Sequence, residues 1–238
     1  MRFSFRRGDA TPRGWFRRVV RAVLLVAFAP VPFILLFAVV NPPVTMVMLQ
    51  RAGQRFLAGD KPAWPVHTPV SRSAMSPSLR RAVLASEDDR FYLHNGIDFV
   101  ELDKALERRK RGGKLRGAST LTQQVAKNIF LWNGRSFVRK AVEAYIALWL
   151  ELLLTKERIL DLYINLAEWG PYHFGAEAGA RYHYRKSAAS LNREESARMA
   201  AILPAPRRWT PRGSVASRRV GAVLQRMQYA APKTEEPK

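Results

Sequence analysis

From Ala22 to Val40 the chain runs nineteen residues without a charge, directly after 21 residues that hold seven arginines and one acid, Asp9. At 1.5 Å per residue, a helix of that length roughly matches the ~30 Å hydrocarbon core of a bilayer. Pro30 and Pro32 kink such a helix, which a membrane span tolerates better than a soluble helix does. A cleaved leader has a shorter apolar core and a small-x-small cleavage site, and the exit Val39-Val40-Asn41-Pro42-Pro43 fits that poorly. A buried core helix is not usually flanked by so many arginines. The run therefore reads as an uncleaved anchor. Its arginines stay cytoplasmic, and the remaining chain faces the other side of the membrane.

That topology decides how the charge is read. The 238 residues carry 40 Lys+Arg against 19 Asp+Glu, a formal charge of +21. Seven arginines less one aspartate put +6 on the tail and leave +15 beyond it. So basic a surface seeks polyanions. Outside the cytoplasm, membrane phosphate or a lipid-phosphate substrate fits better than nucleic acid, which is not expected as a partner. The chain has no cysteine, which excludes a disulfide scaffold, a thiol enzyme and a Cys-ligated zinc site. A hydrophobic fraction of 47% excludes a largely disordered protein.

The expected organisation is a cytoplasmic basic tail (1–21), the anchor (22–40), a Pro-rich juxtamembrane segment (41–64), a main domain (65–210) and a basic C-terminal segment with a polar tail (211–238). The fold class is mainly α. Ser76-Pro77 opens one helix, Asp98 with Glu101 looks like a capping box, and further helices begin near Ser119, Ser136 and after Thr155. Asn192 with Glu195 caps the last clear one. Strand pattern is confined to short pieces within 64–72. Lys104–Arg116 is basic and broken by Gly112-Gly113. It suits either a solvated loop or a mobile flap over an anionic ligand.

Three constellations carry chemistry. Ser86-Glu87-Asp88-Asp89 sits at the end of an apolar helix, where the negative pole disfavours an ionised Glu87 and raises its pKa. An upward-tuned carboxylate suits general acid or base work at neutral pH; a solvated helix end is the plainer alternative. His94 alone reads as a structural hydrogen-bonding residue. Gly117 to Asn128 opens a helix whose N–H groups, with Ser119, Gln123, Gln124, Lys127 and Asn128, could bind phosphate. Arg139 and Glu143 share a helix face, as a surface pair or, if buried, as a cation and carboxylate offered to one cavity.

Taken in order, these segments resemble the peptidoglycan glycosyltransferases, found alone or fused to class A penicillin-binding proteins. Glu87-Asp88-x-x-Phe91-x-x-His94-x-Gly96 resembles their first signature, Gly117–Asn128 the second and Arg139-Lys140-x-x-Glu143 the third. Lys156-x-x-Ile159-Leu160-x-x-Tyr163-x-Asn165, on through Gly170 and Gly175 to Lys186, is similar to the fourth, and Glu195 through Leu203-Pro204-x-Pro206 to the fifth. The resemblance covers residues 65–210, and five ordered motifs are far more specific than one. Their monofunctional, anchored branch is most similar, since no transpeptidase domain is expected after this one. Ala118 stands where many members have glycine. Tyr182-His183-Tyr184-Arg185 replaces the usual His-Tyr-Phe-Gly before Lys186, which puts packing there in question.

The resemblance implies a lysozyme-like helical domain with a smaller membrane-proximal lobe, acting on lipid II and the nascent glycan strand. It implies inverting formation of β-1,4-linked glycan with loss of undecaprenyl pyrophosphate. Glu87 is then the general base and Glu143 the second carboxylate. Lys127, Arg135, Arg139 and Lys140 face the pyrophosphate, supported by Ser119, Gln123, Gln124 and Asn128. No metal ligand set and no cofactor is demanded, though a divalent cation (Mg or Mn) stays open. So do partners among other cell-wall synthesis proteins, besides membrane phospholipid. The implied location is the cell inner membrane, single-pass, with a periplasmic catalytic domain. The rivals are a lysozyme-like glycan-cleaving enzyme (a lytic transglycosylase) and a non-catalytic membrane scaffold.

Overall fold

The apolar run is helical, but broken where its prolines fall. In the computed structural model, which describes residues 12–59, 64–113, 119–134 and 136–230, α1 (Pro12–Phe28) ends at a turn through Ala29-Pro30. The chain resumes as α2 (Val31–Phe37), with Pro32 in its first turn, where the missing N–H costs nothing. Gly14–Phe37, 24 residues with mean hydropathy 2.4, is long and apolar enough to cross a membrane, and only 6% of its apolar window is buried. Arg17, Arg18 and Arg21 thus lie on the helix itself, from about one turn before the uncharged run up to its first residue.

This N-terminal helical segment is tied to the body at a few points. Tyr145 donates its hydroxyl to the Ala27 carbonyl, and the Phe28 and Trp149 rings lie 5.3 Å apart. Arg158 donates to the carbonyls of Phe37 and Val40, both at 2.8 Å, and so satisfies the open C-terminal end of α2. Next comes α3 (Met46–Leu57), which is capped by Thr45 and buries Val47 and Met48 while leaving Leu49, Phe56 and Leu57 exposed.

The body is built from α4 (Pro77–Glu87), α5 (Phe99–Lys110), α6 (Leu121–Phe130), α7 (Phe137–Leu153), α8 (Lys156–Leu166), α9 (Ala176–Tyr184), α10 (Arg193–Ile202) and α11 (Ser214–Arg226). Every residue of α8 from Ile159 to Leu166 is buried. Its buried Ile and Leu side chains contribute about 1.5–3 kcal/mol each, so α8 is a rigid axis for whatever it carries. Packing runs from α2 onto α7, α7 onto α6, α6 onto α8, α8 onto α4, and α4 onto α10 and α11. The chain is mainly helical, as its pattern predicts.

Three short strands form one sheet of order β1-β3-β2: β1 (Val66–His67), β2 (Glu168–Gly170) and β3 (His173–Phe174), with β1 parallel and β2 antiparallel to β3. The β2–β3 turn, through Gly170-Pro171, puts Tyr172 at φ 62°, a position more often filled by Gly or Asn.

Caps follow the expected residues with three differences. Asn192 and Glu195 form a reciprocal capping box, but Asp98 caps α5 alone, accepting from the N–H groups of Val100 and Glu101. Ser76 precedes α4 without capping it, because its hydroxyl donates instead to the Leu191 carbonyl at 2.9 Å. Thr120, not Ser119, caps α6, in a box closed by Gln123. In the substituted stretch before Lys186, Tyr182 stacks on His173 at 4.1 Å, and His183 Nε2 sits 2.7 Å from the Trp169 carbonyl oxygen.

Candidate active site

Glu87 is the last residue of α4 and half-buried, with its carboxylate in a cleft between α4, α6 and α10–α11. Burial raises its pKa above the ordinary carboxylate value. Hydrogen bonds from Gln124 and Ser86, then the charges of Arg219 and Lys127, counter that rise in part. Desolvation is therefore the leading cause, whereas the sequence pointed to the helix pole. Gln124 Nε2 donates to Glu87 Oε2 at 3.2 Å, and the Gln124 carbonyl oxygen accepts from the Tyr163 hydroxyl at 3.3 Å. Ser86 Oγ lies 3.3 Å from Glu87 Oε1 and 3.1 Å from the Ala200 carbonyl oxygen.

The loop after Glu87 is a scaffold. Asp88 accepts the Leu121 N–H at 2.9 Å, and His94 Nε2 lies 3.0 Å from its carboxylate. Lys156 donates to the His94 carbonyl at 2.6 Å and to Glu151 at 2.8 Å. Gly96 takes φ 83°, and a Cβ there would press on the Ala147 carbonyl at 3.3 Å. Only glycine suits both demands, which explains its place in the motif.

The N terminus of α6 is not an open anion site. Its first N–H goes to the Asp88 carboxylate, the Gln123 N–H goes to Thr120, and the Thr120 N–H goes back to the Gln123 side chain. The protein's own aspartate holds the place that a ligand phosphate would take. Gly117 lies outside the described residues, as does Arg135.

On α7, Arg139 and Glu143 share a buried face, not a surface one. Arg139 Nη1 donates to Glu143 Oε2 at 2.6 Å, and Lys140 Nζ pairs with Glu143 Oε1. The same ammonium donates to Ser119 Oγ at 2.9 Å and to Gln123 Oε1 at 3.2 Å. Ser119, Gln123, Arg139, Lys140 and Glu143 thus form one network across the α6–α7 contact. Lys127 lies between it and Glu87: burial lowers its pKa, and the charges of Glu143 and Glu87 both act to raise it. Asn128 lines a 180 Å³ cavity beside Lys127, with Arg51, Asn133 and Tyr163.

Among the described residues, no three His, Asp or Glu side chains converge as a metal site. Each Glu143 oxygen already accepts from a cationic side chain, one from Arg139 and the other from Lys140.

Several cleft residues escaped the sequence reading. A 710 Å³ cavity continues from Glu87 along α11 and is lined by Arg108, Arg208, Trp209, Arg219 and Arg226. Arg219 and Arg226 stand seven apart on α11, two helical turns on one face, but in the sequence they merge into a generally basic tail. Tyr163 was visible as a motif position without a role.

The match to known proteins is extensive. The transglycosylase family model matches residues 57–228. The chain belongs to the transglycosylase family. Its relatives include the biosynthetic peptidoglycan transglycosylase of Pseudomonas putida (strain W619), 43% identical over 219 residues, covering 91% of this chain and 92% of the relative. The protein of the same name from Pseudomonas aeruginosa is 44% identical over 198 residues, 83% of this chain and 85% of the relative. That from Xanthomonas axonopodis pv. citri is 43% identical over 215 residues, 90% and 85% respectively. The family match includes α11, so in this transglycosylase the arginines of that helix fall within the matched segment.

Proposed function

We propose that this transglycosylase polymerises lipid II into β-1,4-linked glycan, inverting the donor anomeric carbon and releasing undecaprenyl pyrophosphate. The observation that carries the reading is the position of Lys127, a desolvated ammonium in the field of both Glu87 and Glu143. Glu87 accepts the proton of the acceptor sugar hydroxyl as that oxygen bonds to the donor anomeric carbon. The bond from that carbon to the pyrophosphate breaks, and the electron pair leaves with the phosphate. A base with a raised pKa matches this role, since it is both available and strong enough near neutral pH.

Lys127, Arg135, Arg139 and Lys140 neutralise the charge developing on the leaving group. Preorganised cations act strongly in a water-poor cleft. Ser119 and Gln123 hold the Lys140 ammonium, Glu143 holds Arg139 and Lys140 together, and Gln124 orients Glu87. Asn128 supports the substrate beside Lys127.

Membrane attachment fits the substrate. The outer face of α7 leaves Phe137 and Leu152 93% and 72% exposed, with Val138, Val142 and Leu148 between them. This apolar stripe continues the surface of α1 and α2 and suits a lobe seated among phospholipids. We place the N-terminal arginines in the cytoplasm and the catalytic body in the periplasm, anchored once in the inner membrane.

The test is polymerisation of purified lipid II in detergent by the wild type beside Glu87→Gln. Polymer from the wild type alone, with lipid II still bound by the variant, supports the reading. Fragments released from preformed glycan would overturn it in favour of a cleaving enzyme. A folded wild type that binds lipid II and makes nothing would favour a scaffold.

A further inference from the structure

We propose that the cavity along α11 is a carboxylate subsite for the stem peptide of the substrate, built by Arg208, Arg219 and Arg226. The proposal rests on the lipid II reading above. Four arginines line this cavity, Arg108 included, and the one carboxylate among its lining residues is Glu87. Among the described residues no ion pair engages Arg208, Arg219 or Arg226, whereas Arg51, Arg72, Arg80, Arg90, Arg139, Arg181 and Arg198 each have an acid partner. Arg219 Nε is buried without a hydrogen-bond partner, and its guanidinium lies 5.7 Å from the Trp209 ring centroid. A buried donor without a protein partner, on a ring-supported cation, is a group that an anionic ligand would satisfy.

Two anionic groups are available on such a substrate, the pyrophosphate and the peptide carboxylates. The pyrophosphate is joined to the lipid, so it must lie near the apolar helices. Packing places α11 on α4 and α10, at the far end of the order that begins with α2 and α7. The Lys127–Arg139–Lys140 group, on α6 and α7, is the one adjoining the apolar face. The stem peptide branches from the sugar, which must sit at Glu87, and so its carboxylates are the anions that reach Arg208, Arg219 and Arg226. Guanidinium forks suit carboxylates, which they can bind in bidentate fashion.

The experiment uses the full chain in detergent with two substrates, lipid II bearing its free stem carboxylates and the same molecule amidated at those carboxylates. For the wild type, kcat/KM should favour the acidic substrate by roughly tenfold or more, the scale of a hydrogen bond to a charged group. In the double variant Arg208→Gln, Arg226→Gln that ratio should fall towards one. A thermal melt of the variant establishes that it is folded. Mixed pairings, an acidic donor with an amidated acceptor and the reverse, tell which strand supplies the carboxylate. Dependence on either supports the proposal. An unchanged ratio in a folded variant, including an equal loss on both substrates, overturns it. Absence of polymer from the wild type with either substrate instead overturns the lipid II reading and this proposal with it.

Discussion

The Gln124 side-chain amide donates to the Glu87 carboxylate at 3.2 Å, and it can do so in one orientation only. An ionised carboxylate only accepts, so the amide turns its NH₂ towards Glu87 and its carbonyl oxygen towards the Tyr163 hydroxyl, which donates at 3.3 Å. Tyr163 belongs to the rigid α8, so the direction of the base is set from the core of the protein. Gln124 stabilises the ionised form and lowers the Glu87 pKa against the rise that burial causes. Replacing it by Leu removes the donor, so the pKa climbs further. Because a base works when deprotonated, the acid limb of kcat/KM moves to higher pH in Gln124→Leu. A pH–rate profile checks this; an acid limb that stays in place would show that Gln124 does not act on the base.

Glu87→Gln should abolish polymerisation, by about 10²–10⁴-fold as for loss of a general base. The same change should stabilise the fold near neutral pH. A carboxylate whose folded pKa is raised contributes stability below its unfolded value and loses it as pH rises through the folded value. Glutamine carries no such penalty. Thermal melts across pH should therefore show the variant gaining on the wild type as pH increases. An inactive variant that melts lower at every pH would point to a packing role for Glu87 instead.

Much of this was legible in the sequence because it rests on local rules. Helix starts at Thr155, Ser136 and Asn192 follow from single capping side chains, and the Arg139–Glu143 pair follows from helical spacing. What local rules do not report is which groups meet across elements. Asp88 reads as another acid beside Glu87, yet it caps α6 from 33 residues away and removes the anion site that α6 alone suggests. Arg219 reads as tail charge, yet the packing of α11 on α4 brings it to Glu87. β1 falls within the 64–72 stretch that reads as strand, whereas β2 and β3 are too short for alternation to register, and β1 pairs with β3 from more than 100 residues away.

Glu143 joins two cations that would otherwise repel each other. Its side chain is 4% exposed, that of Arg139 11% and that of Lys140 41%. Glu143→Ala leaves a buried guanidinium without its partner, which lowers stability by an amount on the order of 1–3 kcal/mol, less than for a wholly buried pair because Lys140 reaches solvent. It also releases the Lys140 ammonium from its place between Ser119 and Gln123. Activity should fall about 10²-fold or more, the scale for loss of one preorganised electrostatic contact. Glu143→Asp, too short to span both cations, should recover stability better than activity. Polymerisation rates and melting curves measured together separate the two effects.

Arg185 ends α9 in the left-handed region, at φ 58° and ψ 28°. For a residue with a Cβ this conformation costs about 1–2 kcal/mol, which is why helices so often end on glycine here. The Arg185 N–H still bonds to the Arg181 carbonyl, so the cap geometry is set by the chain and the side chain merely tolerates it. Among the described residues Arg185 forms no ion pair whose loss would offset relief of the strain. Arg185→Gly should therefore stabilise the domain, by less than the full cost because glycine also enlarges the unfolded ensemble. A gain of roughly 0.5–1 kcal/mol corresponds to about 1–4 °C in melting temperature for a domain of this size. Catalysis should be unaffected, since α9 packs on the sheet and on α8 and contributes no residue lining the cleft around Glu87. A lower melting temperature would mean that the arginine side chain holds the end of α9 in place.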